Sequence, residues 1–474
     1  MFTLIVRSKR DADAVKASLS KFYTEWNIDV RTLHGARRPE EMLETIMDVA
    51  SSPRFVLVML GREDKEAAAE VERNAPPNVF VHVVPRARVR NARIEMIANE
   101  LAKLKAMPRL LVTWDSKEGA YLLKRGGRSL QDHWFDPAFD VFFGSQGLRN
   151  ILRRAGVEVG ENPLVVRRRG GVHYVYQGST VCAEFVIEDA GFSPKVKKAD
   201  SCTQHVSVDL SKLLESNRDV LELYERISVN FLRSLGDFDT VIVPWSGGKD
   251  STAALLLAIE AFGKDKVVAV YGDTGTEFPH TGEYVERVVE KLGVELVKAY
   301  AGVDKVLRSG AAPLPTHDNR WCTGMKIDAI ESTISKLGSG RTLVVVGDRD
   351  AESPRRSMRP PLRKTRRGSF TIAAPIKMWG AAHVQLYIMS KGLPLNPLYE
   401  YGFYRIGCYM CPSLRSWELY IMTTTPEIHY RLLKSKIYRS FISTRLRRSH
   451  AKPATVPASC AAFSEDYDLP VCGG

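Results

Sequence analysis

The sequence predicts an α/β protein: a doubly wound, mostly parallel sheet, with an N-terminal α/β domain and a small β-rich accessory domain beside it. Two observations carry this prediction. Short apolar, β-branched runs alternate with helix-forming stretches in residues 1–108 and again in 216–425. The segment between them, 109–215, carries a denser β pattern with fewer helix signals. At 474 residues the chain has room for several domains and an ample core.

In chain order, "FTLIV", "RFVLVML" and "VFVHVV" read as buried strands, and "DADAVKASLSKFYTEW" and "PEEMLETIMDVA" as the helices between them. The second block contains the basic "VVRRRGG" followed by "GGVHYVYQGSTVCAEFVI". That suggests a small β-barrel-like module, for which an RNA-binding role and a plain accessory role both fit. "LSKLLESNRDVLELYERISVNFLRSLG" has the periodicity of one amphipathic helix leading into the third block. Residues 426–474 are expected to be a C-terminal extension, ending in a flexible tail rich in Pro, Ser and Gly.

The net charge of +13 favours anionic ligands, nucleic acid among them. No apolar run approaches the ~20 residues of a membrane span, and the apolar patch in "MFTLIVRSKRD" is short for a signal peptide. The expectation is therefore a soluble, cytoplasmic protein. Five glutamines among so many Arg, Glu and Val residues hint at a thermophile. The seven cysteines, at 182, 202, 322, 408, 411, 460 and 472, do not suggest a secreted disulfide framework, and Cys182 and Cys202 read as structural.

The chemistry concentrates in the third block. In "TVIVPWSGGKDSTAALLLAIEAFG" a buried strand meets a Gly-Gly turn and then a helix that should end at Gly263. Such a turn gathers backbone N–H groups and a helix N-terminus at one point, which favours a bound anion. Gly247 and Gly248 permit close approach, Ser246 and Ser251 offer hydroxyls, and Lys249 offers counter-charge. The loop is not a Walker A motif, because Val243 replaces its first glycine and Asp250 follows the lysine. Further on, "VVAVYGDTGTEFPHT" ends a strand in Asp273-Thr274-Gly275, where open α/β sheets bind ligands. "RWCTGMKID" sets Cys322 beside Arg320 and Lys326, a setting expected to lower its thiol pKa. "VVVGDRDAESPRRS" supplies Arg349 and opens a basic run, which reads either as a solvated loop or as a lid over an anionic substrate. "RIGCYMCP" supplies the C-x2-C pair Cys408 and Cys411.

Together S-G-G-K-D-S, D-T-G-x-x-F-P, R-W-C-T-x-x-K, G-x-R-x-x-E-S and R-x-G-C-x-x-C-P resemble the phosphoadenosine phosphosulfate (PAPS) reductase family. That family belongs to the PP-loop, adenine nucleotide α-hydrolase-like superfamily. The resemblance covers about 240–412. It implies that Ser246, Gly247, Gly248, Lys249, Asp250 and Ser251 hold the phosphate or sulfate end of a nucleotide. Asp273, Thr274 and Gly275 would lie near that nucleotide, Arg349 would pair with its anionic groups, and Lys249, Asp250 and Arg349 would serve the reaction.

For Cys322, Cys408 and Cys411 the resemblance implies a metal site, either a 4Fe–4S cluster with one iron left open or a zinc ion with a fourth ligand from elsewhere. Trp321 stands where the cluster-bearing reductases have another cysteine. The tail "DLPVCGG" echoes the family's nucleophilic cysteine at Cys472, without the Glu and His that accompany it there. Two activities follow as expectations. One is reduction of PAPS or adenosine phosphosulfate (APS) to sulfite with a thioredoxin-like thiol donor. The other is ATP-dependent sulfur transfer to tRNA, with Mg²⁺ beside the ATP.

Overall fold

The computed structural model describes residues 1–130, 136–199, 202, 205–338, 340–365 and 370–448. Two parallel sheets form its framework. The N-terminal sheet has the order Asp29–Thr32, Phe2–Val6, Phe55–Leu60, Val79–Val83, all parallel. Its central strands are buried along their whole length, which explains their unbroken apolar runs.

The larger sheet has six strands, in the order Glu295–Tyr300, Val267–Asp273, Thr240–Trp245, Thr342–Val345, Thr371–Ala373, Leu362–Lys364. Only the last pairs antiparallel. Val241, Val243 and Trp245 face one layer of the core, while Ile242 joins Val268, Val344 and Ile334 in another. Alternation to two buried faces is what a sheet wound on both sides requires. From Thr240–Trp245 the chain builds two strands outward on one side, then returns to lay Thr342–Val345 on the other. The topological switch point therefore lies beside the strand that carries the Gly-Gly turn.

The second block holds a three-stranded antiparallel sheet and a five-stranded one. The latter runs in the order Lys195–Lys198, Thr180–Val186, Val172–Gln177, Leu164–Arg168, Phe139–Phe143. Among the described residues its two edge strands do not pair, so it is an open sheet and not the expected barrel. Cys182 and Cys202 are joined by a disulfide across this block.

Two other expectations change. The single helix foreseen over 210–236 is two, Leu210–Ser216 and Arg218–Arg233. The break is Asn217, fully buried, whose amide accepts from Leu123 N (2.6 Å) and donates to Tyr121 O (2.8 Å) and Leu213 O (2.8 Å). Helix periodicity cannot register a side chain that competes for backbone partners in this way. The extension after 425 is helical over Pro426–Leu433 and Lys436–Arg448, and it buries Ile428, Leu432, Tyr438 and Phe441 in the core. The flexible tail foreseen beyond it lies outside the described residues.

The three blocks meet at residues 349–350. Lys105, from the N-terminal helix Ile94–Leu110, reaches Asp350 at 3.2 Å, and Asp140, from the five-stranded sheet, reaches Arg349 at 2.8 Å.

Candidate nucleotide and thiol site

The Gly-Gly turn sits at the switch point. Gly247 has φ +70°, and a Cβ there would stand 2.9 Å from Thr281 Cγ2. Helix Lys249–Phe262 starts as foreseen, and Gly263 ends it with its N–H on Ile259 O. Its N-cap, Gly248, offers no side-chain acceptor to the first turn. The first-turn Lys249 N is met from outside the helix by the Tyr399 hydroxyl at 3.0 Å, while the N-cap residue itself supplies no side chain to that positive end. Ser246 and Ser251 lie together, hydroxyl to hydroxyl at 3.1 Å, and Ser246 is exposed. Across the switch, a Cβ on Gly347 would stand 2.4 Å from Asp250 O, so the two loops need a glycine to approach this closely.

Beneath the turn lies a buried charge network. Lys249 Nζ donates to Asp250 Oδ2 at 3.0 Å, and Arg349 Nε donates to Asp250 Oδ1 at 2.6 Å. Arg349 Nη1 donates to Asp140 Oδ2 at 2.8 Å, and Ala381 N closes on Asp140 Oδ1 at 3.0 Å. Burial alone would raise the Asp250 carboxyl, but Arg349 and Lys249 outweigh it and hold it down at about 2. Burial likewise works against the charge on Lys249, and Asp250 overrides it upward.

Arg349, foreseen as a partner for the nucleotide's anionic groups, is fully buried and engaged by two carboxylates, so here it positions Asp250 and, through it, Lys249. Asp140 and Tyr399, whose hydroxyl accepts from Lys249 N at 3.0 Å, belong to the site although no motif contains them. Asp140 did leave a signal, as a lone acid inside the apolar run "FDVFF".

On the neighbouring strand, Asp273 accepts from Gly275 N at 2.7 Å, and burial followed by Glu277 raises its carboxyl. Gly275, at φ +75°, packs where a Cβ would stand 2.2 Å from Asp304 Oδ1. Thr274 is buried, and its N–H and hydroxyl both donate to Glu277 Oε2 at 2.9 Å. Cys408 Sγ lies 3.3 Å from Thr274 Oγ1 and 3.7 Å from Glu277 Oε1, in an antiparallel bridge between 277 and 408. Cys411 N donates to Cys408 O at 3.1 Å, and Cys411 is near enough to act on the thiols of both Cys322 and Cys408.

The lowered thiol pKa foreseen for Cys322 is overturned. Burial, then Cys411, pushes it up, and Lys326 is engaged instead by Glu277 at 3.1 Å. Burial and Glu277 also push the Cys408 thiol up to about 12. Among the described residues, no group of three or more Cys, His, Asp or Glu side chains converges to hold a metal ion. As placed, the three thiols do not form a ready-made cluster or zinc site. Cys472 lies outside the described residues. The basic run after Arg349 is tied down: Arg356, Arg359 and Arg363 reach Asp348 at 3.6, 3.6 and 2.8 Å.

Residues 240–414 match the model of the phosphoadenosine phosphosulfate reductase domain. This stretch belongs to that family. An uncharacterised protein of Methanocaldococcus jannaschii is 32% identical over 249 residues, 51% of this chain and 50% of the relative. An adenosine 5'-phosphosulfate reductase of Rhodococcus erythropolis is 28% identical over 31% of this chain and 59% of its own length. A sulfate adenylyltransferase subunit 2 of a Marinomonas species is 25% identical over 40% of this chain and 69% of its own length. The chain spans about half the length of the first curated relatives it matches. A PAPS reductase structure from Candida auris covers 44% of this chain and 98% of its own at 18% identity, with a TM-score of 0.33. No helix among the described residues is long and apolar enough to cross a membrane.

Proposed function

We propose that the chain binds an adenylyl nucleotide at Ser246–Ser251 and carries out sulfur chemistry on it, with reduction of a sulfonucleotide to sulfite as the leading reaction. The observation that supports this most is the N-terminus of helix Lys249–Phe262 at the sheet's switch point, whose N-cap Gly248 supplies no side-chain acceptor and which is flanked by two paired serine hydroxyls. The nucleotide's phosphate or sulfate would take the place of a cap. Lys249, held charged by Asp250, would stabilise the leaving phosphate from below.

In the reductive reaction, the thiolate of Cys472 attacks the sulfonate sulfur. An S–S bond forms, and the S–O bond to the nucleotide phosphate breaks. A dithiol of the thioredoxin type then releases sulfite and is itself oxidised to a disulfide. The second reading, ATP-dependent sulfur transfer to RNA with Mg²⁺ on the phosphates, draws on the net charge of +13 and on the three free cysteines Cys322, Cys408 and Cys411.

The test runs sulfite formation from PAPS and APS with a dithiol donor beside thiolation of bulk tRNA with ATP and a sulfide source. Iron, sulfide and zinc analysis of anaerobically purified protein accompanies both assays. Sulfite release that is lost in Cys472→Ser and reduced ~10-fold or more in Lys249→Ala is the expected result. Thiolation lost in Cys322→Ser but kept in Cys472→Ser would move the chain to the second reaction. Activity in neither assay overturns both.

A further inference from the structure

The basic run of the second block, which the proposed function leaves unused, ends beside the Gly-Gly turn. Strand Leu164–Arg168 carries Arg167 and Arg168, and Arg169 follows it. Arg169 donates from Nε to Ala351 O at 3.3 Å and from Nη2 to Asp350 O. The run is thereby pinned to the loop that holds Arg349. Side chains two apart share a face of a strand, so Arg167 lies on the side of Arg169 and Arg168 on the other. Arg168 is exposed there, over the Phe139 ring at 5.9 Å.

Arg167 stands opposite Asp140 in the strand register, where an acid and a base ordinarily pair. They do not pair here. The Asp140 carboxylate is taken by Arg349 and Ala381 N, and Arg167 turns to Tyr404. Its guanidinium carbon lies over that ring, 4.2 Å from the centre, and Nη1 donates to the Tyr404 hydroxyl. Among the described residues no carboxylate forms an ion pair with Arg167. Both Arg167 and Tyr404 are half-buried and keep a solvent-facing part. The same tyrosine ring also lies under Lys249, whose Nζ is 5.7 Å from its centre. One ring thus joins the arginine of the second block to the lysine of the turn.

Charge gives that arginine a use. In the network beneath the turn, Lys249 and Arg349 face Asp250 and Asp140, two positive charges against two negative. The network is balanced before any ligand arrives. ATP, APS and PAPS each bring at least two negative charges near neutrality, and a helix N-terminus offsets only about half of one. A guanidinium over an aromatic ring keeps its N–H edge available, and its fork matches phosphate and sulfate oxygens.

We propose that Arg167 is a substrate-contacting residue supplied by the second block, whose guanidinium takes a phosphate or sulfate oxygen of the nucleotide seated at Ser246–Ser251. This rests on the nucleotide reading of that cradle and adds the cation that offsets the ligand's charge. It makes the β-rich block a part of the site and not a separate module.

The experiment is a calorimetric titration of ATP, APS and PAPS, at several salt concentrations, into the wild-type chain, Arg167→Gln, Arg167→Lys and Arg168→Gln. Glutamine keeps a donor for the Tyr404 hydroxyl and removes the charge. For the nucleotide that the wild type binds most tightly, Arg167→Gln should weaken binding about tenfold or more, with a shallower dependence on salt. Arg167→Lys, which keeps the charge, should recover most of that loss. Arg168→Gln removes the same charge from the opposite face and should bind like the wild type. Unchanged binding in Arg167→Gln overturns the proposal and leaves the cradle reading standing. An equal loss in Arg168→Gln, or a loss in Arg167→Gln that keeps the wild type's salt dependence, also overturns it. If no nucleotide binds the wild type, both readings fall.

Discussion

The two parallel sheets have the same plan, yet only one leaves its switch-point helix without a side chain at the N-cap. In the N-terminal sheet, strand Phe2–Val6 leads through a short turn into helix Lys9–Phe22, much as Thr240–Trp245 leads into Lys249–Phe262. Both turns stand at a switch point in strand order. The N-terminal helix, however, is capped by Ser8, whose hydroxyl accepts from Asp11 N at 3.4 Å, and the buried Asp11 carboxylate accepts from Arg90 N at 3.1 Å. The protein's own acid and hydroxyl fill that helix end. The other end has Gly248, and its first-turn acid, Asp250, is turned toward Lys249 and Arg349. Strand order makes the crevice, and the cap residue decides whether an outside anion can use it.

The largest expected effect comes from the buried arginine that each sheet keeps near its turn. Arg7 donates to Asp64 at 2.6 Å in the N-terminal domain, with both side chains under a tenth exposed, and Arg349 links Asp140 and Asp250 in the other. Removing either partner of such a pair strands a buried charge and costs about 3–5 kcal/mol. Arg7→Ala and Arg349→Ala should therefore both lower stability by this order in denaturant titrations. Only Arg349→Ala should also weaken nucleotide binding, since only Asp250 orients the loop lysine. Equal nucleotide affinity in the two variants would remove Arg349 from the site.

A smaller, graded effect is expected with pH. His173 and His383 are buried, and burial lowers both imidazoles from 6.5 to about 3. Below pH 6.5 the unfolded chain takes up protons that the fold refuses, so these two sites withdraw stability as the pH falls from 6.5 to 3. The depressed Asp250 adds its own loss as the pH falls from the ordinary carboxylate range toward 2. Chemical denaturation at stepped pH should show a decline over the 6.5-to-3 window that is shallower in His173→Phe. An identical slope in the variant would mean that the imidazole is not held neutral.

Much of the fold was legible because local rules and tertiary packing agree. Fully buried parallel strands leave continuous apolar runs, and Gly263 stops its helix where helix-end chemistry says it should. The strand–turn–helix that carries Ser246–Ser251 was legible for the same reason, since two glycines between an apolar run and a helix-forming stretch mark a tight turn. What was hidden is non-local. Asp140 is 209 residues from Arg349, and no spacing connects them. Arg349 looks like a ligand-binding arginine in a motif, and only its surroundings reveal two carboxylates already engaging it. Lys326 stands four residues from Cys322 and invited a thiolate reading, but Glu277, in the loop after strand Val267–Asp273, claims its charge. Asn217 stays silent in a helical pattern because its partners, Tyr121 and Leu123, come from the three-stranded sheet.

The comparison of the two helix ends can be broken by giving the second helix the cap of the first. Gly248 has φ −82° and ψ 155°, ordinary extended backbone, and a Cβ there meets nothing nearer than 3.4 Å, so Gly248→Ser is accommodated. A serine hydroxyl should bond a first-turn N–H and change stability by only a few tenths of a kcal/mol. The decisive measurement is a calorimetric titration of ATP, APS and PAPS into the wild-type chain and into Gly248→Ser. The account predicts that at least one nucleotide binds the wild type and that the serine variant, folded and at least as stable, binds it tenfold or more weakly. Binding of equal strength in Gly248→Ser, or no binding of any of the three to the wild type, would contradict it.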